Sequence, residues 1–160
     1  MTGSAMTSDR PTILVIDDEA PFLRLMDIFL TSEHYSPVLC SIAAEACAMA
    51  RQHQPQVIIL DLRIPRILDG RRALREFQQD PRTRSFPVIM VSADPQGLRS
   101  NADELNHGSV ALLSKSFDFD HLRNLIQMAL QRPSPRRGGQ GWNVLPECHL
   151  PHEGYDVSIK

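Results

Sequence analysis

Short apolar runs rich in β-branched residues recur along the chain at Thr12–Ile16, Val57–Leu60 and Val88–Val91, with weaker ones at Pro37–Cys40 and Val110–Leu113. The strong runs are almost wholly apolar. That is the pattern of parallel strands covered on both faces, not the in–out alternation of a half-solvated sheet. Between the runs the period changes. Phe22, Leu25, Met26, Phe29 and Leu30 fall at i, i+3, i+4, i+7 and i+8, which predicts a helix presenting them on one face. Leu122, Leu125, Ile126, Ala129 and Leu130 repeat the spacing. The alanine-rich stretch Ala43–His53 predicts a helix able to lie close to a sheet; Ala73, Leu74 and Phe77 mark another, and Leu98, Ala102 and Leu105 a further one. Gly70, Pro87 and Gly108 punctuate the boundaries. The order is (βα)5, which predicts a doubly wound parallel α/β sheet with helices on both faces and right-handed crossovers.

After Leu130 the pattern stops. QRPSPRRGGQG is rich in Pro, Gly and Arg, so residues 133–160 are expected to be a flexible, largely disordered C-terminal tail. Residues 1–10 are expected to be a disordered N-terminus, leaving one domain over 11–132 of a 160-residue chain. A formal net charge of −2 gives no overall pull toward nucleic acid or an anionic membrane. The opening MTGSAMTSDRP lacks the apolar core of a secretory signal, and no run approaches the roughly 20 apolar residues that span a bilayer, so the cytoplasm is the expected location. Three cysteines, Cys40, Cys47 and Cys148, form no paired spacing and fit a reducing compartment.

In an open parallel sheet, ligands bind beyond the carboxyl ends of the strands, where strand order reverses. The first strand ends in Asp17, Asp18 and Glu19, the third in Asp61 and the fourth in Ser92; the fifth is followed by Ser114 and Lys115. Carboxylates gathered in one crevice repel unless a cation intervenes. An all-oxygen set that leaves positions to water suits Mg²⁺. Such an ion would screen an incoming phosphoryl group from Asp61, with Lys115 supplying a point charge and Ser92 a hydrogen bond. The constellation predicts a phosphoryl-transfer site.

The sequence VIDDE, then LDLRIP with a later DG, then VSA, then SKSF resembles the response-regulator receiver family over roughly residues 11–133. The resemblance implies a flavodoxin-like sheet in the order 2-1-3-4-5. It implies that Asp61 is the phosphoacceptor, taking phosphate from a sensor histidine kinase or histidine phosphotransfer protein. It also implies Asp18 as a direct ligand of Mg²⁺, Asp17 as a ligand through water, and the Arg63 backbone carbonyl as the remaining protein ligand beside Asp61. Ser92 and Lys115 match the family's switch hydroxyl and lysine. Output by contact with a downstream protein target follows, with no direct nucleic-acid or membrane binding and homodimerisation left open. On this reading the chain is not an enzyme beyond self-catalysed phosphotransfer and autodephosphorylation, and it acts as a stand-alone receiver or as the receiver piece of a larger kinase system.

The chain departs from the family pattern at several positions. Ser116 stands where a proline usually follows the lysine through a cis peptide, and a trans bond is expected here because a cis non-proline bond costs about 2.5–4 kcal/mol. Leu112 occupies the aromatic switch position and has no ring to swing inward. The loop from Asp61 to Gly70 is one residue longer than the common pattern, and Ile64 replaces a methionine. Arg63, two residues after the acceptor, lies beside the path of an attacking water and is expected to change the phosphoryl lifetime. Leu112 and Ser116 motivate a rival reading, a pseudo-receiver binding module regulated without phosphate. A phosphoaspartyl phosphatase would need a second acid where Arg63 stands.

Plainer readings hold elsewhere. Glu19 can simply favour the positive end of the following helix. Arg63, Arg66, Arg71, Arg72, Arg75, Arg82 and Arg84, interrupted by acids and without interleaved aromatics, read as a solvated surface. Cys148, His149 and His152 lack the second ligand pair that zinc requires.

Overall fold

A computed structural model describes residues 10–63, 70–94, 96 and 110–131. The strands are β1 (Thr12–Ile16), β2 (Ser36–Cys40), β3 (Val57–Asp61), β4 (Val88–Ser92) and β5 (Val110–Ser114). The helices are α1 (Ala20–Ser32), α2 (Ala46–His53, entered through a 3₁₀ turn at Ala43–Glu45), α3 (Gly70–Gln79) and a C-terminal helix, α4 (Phe119–Leu130). The expected helix carrying Leu98, Ala102 and Leu105 lies outside the described residues, as do both termini and the Cys148–His152 cluster. All strand pairings are parallel, and the sheet order is β2-β1-β3-β4-β5, the flavodoxin-like order with its reversal between β1 and β3. No described helix is long and apolar enough to cross a membrane.

The unbroken apolar runs bury both faces of the sheet, as parallel strands require. Alternate residues go to opposite sides. Leu14, Ile16, Ile58, Leu60 and Met90 pack with Ala46 and Ala50 of α2 and with Ala73, Leu74 and Phe77 of α3. Ile13, Val15, Val57, Ile59, Ile89 and Val91 pack with α1 and α4. Ala46 and Ala50 are fully buried, so the small side chains of α2 do let it approach the sheet.

The face of α1 follows its spacing at Met26, Phe29, Leu30 and the half-buried Phe22, and departs from it at Leu25, in whose place Leu23 is covered. Leu23, Met26, Phe29 and Leu30 are buried, whereas Leu25 is 45% exposed and Ile28 70%. Apolar residues cover more than one stripe of this helix, and the pattern alone does not fix which stripe meets the sheet. Seating on β1 and β2 settles it, and α4 joins from the side. Phe119 stacks on Phe29 with ring centroids 4.6 Å apart, and Arg123 reaches both carboxylate oxygens of Glu33 at 2.7 and 2.8 Å. The α4 N-terminus is capped by Asp118, which accepts from the His121 amide at 2.7 Å. His34 and Gln54, in the left-handed region at φ 64° and 47°, close α1 and α2 without glycine.

One glycine is dictated by space. A Cβ on Gly70 would stand 2.1 Å from the Asp61 carbonyl oxygen and 2.9 Å from Leu62 Cα, because the start of α3 lies directly against the end of β3. The Gly70 amide donates to the Leu62 carbonyl at 3.2 Å across that contact. Gly70→Ala should therefore push α3 off β3 and lower the unfolding free energy by about 2 kcal/mol or more, read from urea denaturation; an unchanged midpoint would contradict this packing.

Candidate functional site

Parallel register places the strand ends side by side. Ile16 pairs with Leu60, Asp61 with Val91, and Ser92 with Ser114, so the residues that follow β1, end β3 and β4, and follow β5 form one row of carboxyl termini. Backbone bonds hold that row: the Asp17 amide donates to the Cys40 carbonyl at 3.0 Å, Leu62 to Val91 at 2.8 Å, and Lys115 to Ser92 at 2.7 Å.

Asp17 and Asp61 are buried at 0% and 2% exposure, while Asp18 faces solvent. One carboxylate oxygen from each of Asp17, Asp18 and Asp61 lies within 4.8 Å of the others. Asp17 Oδ1 accepts from the Glu19 amide at 2.8 Å, and Asp61 Oδ1 accepts from the Arg63 amide at 3.1 Å. The Lys115 ammonium lies 2.7 Å from Asp17 Oδ2, 3.4 Å from Asp61 Oδ2 and 3.3 Å from Glu19 Oε1, beneath the Phe22 ring at 4.6 Å from its centroid. Asp17 Oδ2 is buried and completes no directed hydrogen bond; its contact with the ammonium is one of charge.

Burial pushes the Asp61 carboxyl up to about 6, helped by the negative charge of Asp17 and opposed by the Arg63 amide and by Lys115. Asp17 is raised for the same first reason, against the pull of Lys115 and the Glu19 amide. Burial alone would lower Lys115, but Asp17, Asp61 and Glu19 together outweigh it and raise the ammonium's pKa. The donor set fits a hard divalent cation: three carboxylates converge, and all ligand atoms are oxygens.

Ser92 is fully buried at the end of β4, and its Oγ accepts from the Asp94 amide at 3.1 Å. That bond caps the turn and leaves the hydroxyl's own proton for another acceptor. The Lys115–Ser116 peptide is trans, as its sequence predicts, and the Ser114 and Ser116 hydroxyls pair at 2.8 Å around it. Leu112 is half-buried opposite Met90 and packs on the α2–α3 side, with no ring at that position. The Arg63 guanidinium reaches across from β3 to Asp94 Oδ2 at 2.5 Å, bridging the two loops at the mouth of the crevice. Of the arginine-rich stretch, Arg72, Arg75, Arg82 and Arg84 are exposed, with Arg72 paired to Glu76 one turn on at 3.3 Å.

Sequence spacing did not reveal three of these contacts. Glu19 makes no side-chain cap for α1 and turns to Lys115 instead. Phe22 belongs to the apolar pattern of α1, yet its ring covers the lysine. The Arg63–Asp94 bridge joins residues 31 apart. Contacts between loops of different strands carry no period, so only the topology exposes them.

Residues 13–127 match the family model of the response regulator receiver domain. The chain belongs to that family, the receiving modules of two-component signalling. It is 34% identical over 123 residues to the response regulator PleD of Caulobacter vibrioides, covering 74% of this chain and 26% of PleD. It is 30% identical over 122 residues to the DNA-binding dual master transcriptional regulator RpaA of Synechocystis, covering 76% of this chain and 50% of RpaA. The chain thus spans between a quarter and a half of these relatives. Among solved structures, the receiver domain of sensor histidine kinase PA1611 from Pseudomonas aeruginosa superposes with a TM-score of 0.68 at 27% identity, covering 76% of this chain and 98% of that one; it has a magnesium ion coordinated in its active site cleft. The Vibrio cholerae chemotaxis protein CheY4 shares the fold, with a TM-score of 0.66, 20% identity, and coverage of 76% of this chain and 99% of that one.

A carboxyl held above its ordinary pKa is more costly to fold when ionised. Both states are protonated below the unfolded value, and the stability is lost as pH rises through about 6, the folded value for Asp61. Asp61→Asn should therefore stabilise the metal-free protein at pH 7.5 by on the order of 2 kcal/mol, with the gain shrinking toward pH 4.5. Thermal melts across that range check this, and equal stability of the two proteins at pH 7.5 would contradict it.

Proposed function

We propose that this chain is a phosphoacceptor: Asp61 takes a phosphoryl group from a phosphohistidine on a sensor histidine kinase or histidine phosphotransfer protein, with Mg²⁺ bound beside it. One observation carries the reading: Asp17, Asp18 and Asp61 oxygens converge within 4.8 Å while the Lys115 ammonium stands 3.4 Å from Asp61. Asp17 and Asp61 each hold a local turn through one oxygen, but that role does not require two buried carboxylates to face each other, an arrangement that costs stability.

The reaction needs little from the protein beyond placement and charge. A carboxylate oxygen of Asp61 attacks phosphorus, the N–P bond breaks, and its electron pair returns to the imidazole, leaving an acyl phosphate on Asp61. Asp17, Asp18, Asp61 and the Arg63 carbonyl would hold the metal, which would neutralise charge on the phosphoryl oxygens. Lys115 pairs with the transferred group as its charge arrives on Asp61. The Ser92 hydroxyl, whose proton its turn bond does not use, donates to a phosphoryl oxygen. That change at the end of β4 is the local event that alters the protein's surface for a downstream protein partner. Because Leu112 offers no ring, the output does not pass through an aromatic rotamer at that position.

Incubation with acetyl phosphate and Mg²⁺ should label the wild-type chain with acid-stable, hydroxylamine-labile phosphate. Asp61→Asn, or chelation of the metal, should abolish the label. Equal labelling of Asp61→Asn would contradict the assignment, and an unlabelled wild type would favour the pseudo-receiver.

On this reading the Arg63–Asp94 ion pair stands in the path of a water attacking the phosphorylated Asp61. Arg63→Ala should shorten the lifetime of the phosphorylated form several-fold, measured as loss of label after removal of the donor. A lifetime equal to wild type would remove this role.

A further inference from the structure

We propose that Phe22 is a positioning residue that holds the Lys115 ammonium over Asp61 through the face of its ring, an inference that rests on the phosphoacceptor reading above. A lysine stem has four rotatable torsions and a strongly hydrated head, so a lysine at a crevice rim ordinarily turns to water. Lys115 does not: its side chain is only 12% exposed. Asp17 and Asp61 draw it from below, at 2.7 and 3.4 Å. Its other neighbours are Glu19, itself 61% exposed, at 3.3 Å, and the face of the half-buried Phe22 ring, 4.6 Å from the ammonium.

The ring is the anchored member of that pair. Phe22 is half-buried and packs on the cluster between the sheet, α1 and α4. The turn that carries it is fixed by Pro21 at the start of α1 and by the Leu23 amide donating to the Glu19 carbonyl at 3.1 Å. An aromatic face attracts a cation by its quadrupole, and more strongly when water is excluded. It also offers no competing negative charge. Carboxylates alone favour the nearer Asp17, whereas phosphoryl transfer needs the ammonium at Asp61. A ring face held against the ammonium adds a second, uncharged attraction that opposes its collapse onto Asp17 and keeps it available to the arriving group.

Lys115 and Lys160 are the only lysines in the chain, so lysine-selective labelling gives two resolvable signals. In the metal-free protein the Lys115 ε-methylene protons should lie upfield of those of Lys160 through the ring current. Phe22→Leu should abolish that offset and Phe22→Tyr should keep it. Mg²⁺-dependent labelling from acetyl phosphate should slow roughly fivefold in Phe22→Leu and stay near wild type in Phe22→Tyr. Pentafluorophenylalanine at position 22 keeps the shape but inverts the face potential, and should also slow labelling. An absent offset in wild type, a Phe22→Leu rate equal to wild type, or a fluorinated ring as effective as phenylalanine would each overturn the proposal. If Phe22→Leu fails to fold, the fluorinated and tyrosine proteins decide it. A wild type that takes no label sinks the phosphoacceptor reading itself, whereas normal labelling at one rate across all variants sinks only the role of Phe22.

Discussion

Two buried carboxylates share one ammonium, and the arrangement of the crevice turns on that imbalance. Asp17 and Asp61 leave almost no surface to water, and Lys115 must answer both while also meeting Glu19. Burial is the main reason the Asp61 carboxyl is raised; the charge of Asp17 adds to it, and the one ammonium only partly offsets the two. The protein sustains this deficit because the rest of the fold is well satisfied: the sheet is buried on both faces and the strand ends are tied by short backbone bonds. Stability is surrendered locally to leave a pocket that gains by taking in positive charge.

The topology supplies the geometry. Because every strand runs parallel, all chemistry-bearing termini emerge at one edge, and the reversal between β1 and β3 opens a crevice there. Gly70 lets α3 begin against the end of β3, which fixes the backbone around Asp61. The trans Lys115–Ser116 bond and the paired Ser114 and Ser116 hydroxyls form the turn that delivers the lysine. Departures from the family pattern thus sit around the crevice while the convergence of carboxylates and ammonium persists.

The five strands were legible almost to the residue because the central ones are short, β-branched apolar runs bounded by polar or turn residues, a length and composition that favour a buried strand over a helix. The row of Asp17, Asp18, Asp61, Ser92 and Lys115 followed once those strands were placed, since each residue ends or follows one of them. What stayed hidden has a common cause. Leu25 and Leu23 are equally apolar, and the way α1 seats on β1 and β2 decides which is covered. Glu19, Phe22 and Asp94 acquire their partners from other strands' loops, over separations that no local period encodes.

The central claim, that the crowded carboxylate at the end of β3 is where phosphate lands, is tested most directly by trapping. Reduction of the phosphorylated chain with tritiated borohydride converts an acyl phosphate to a stable alcohol, and peptide mapping then finds the tritium. The account predicts tritium at position 61 and nowhere else. Tritium on Asp17, on Asp18 or on a residue outside the crevice would contradict it.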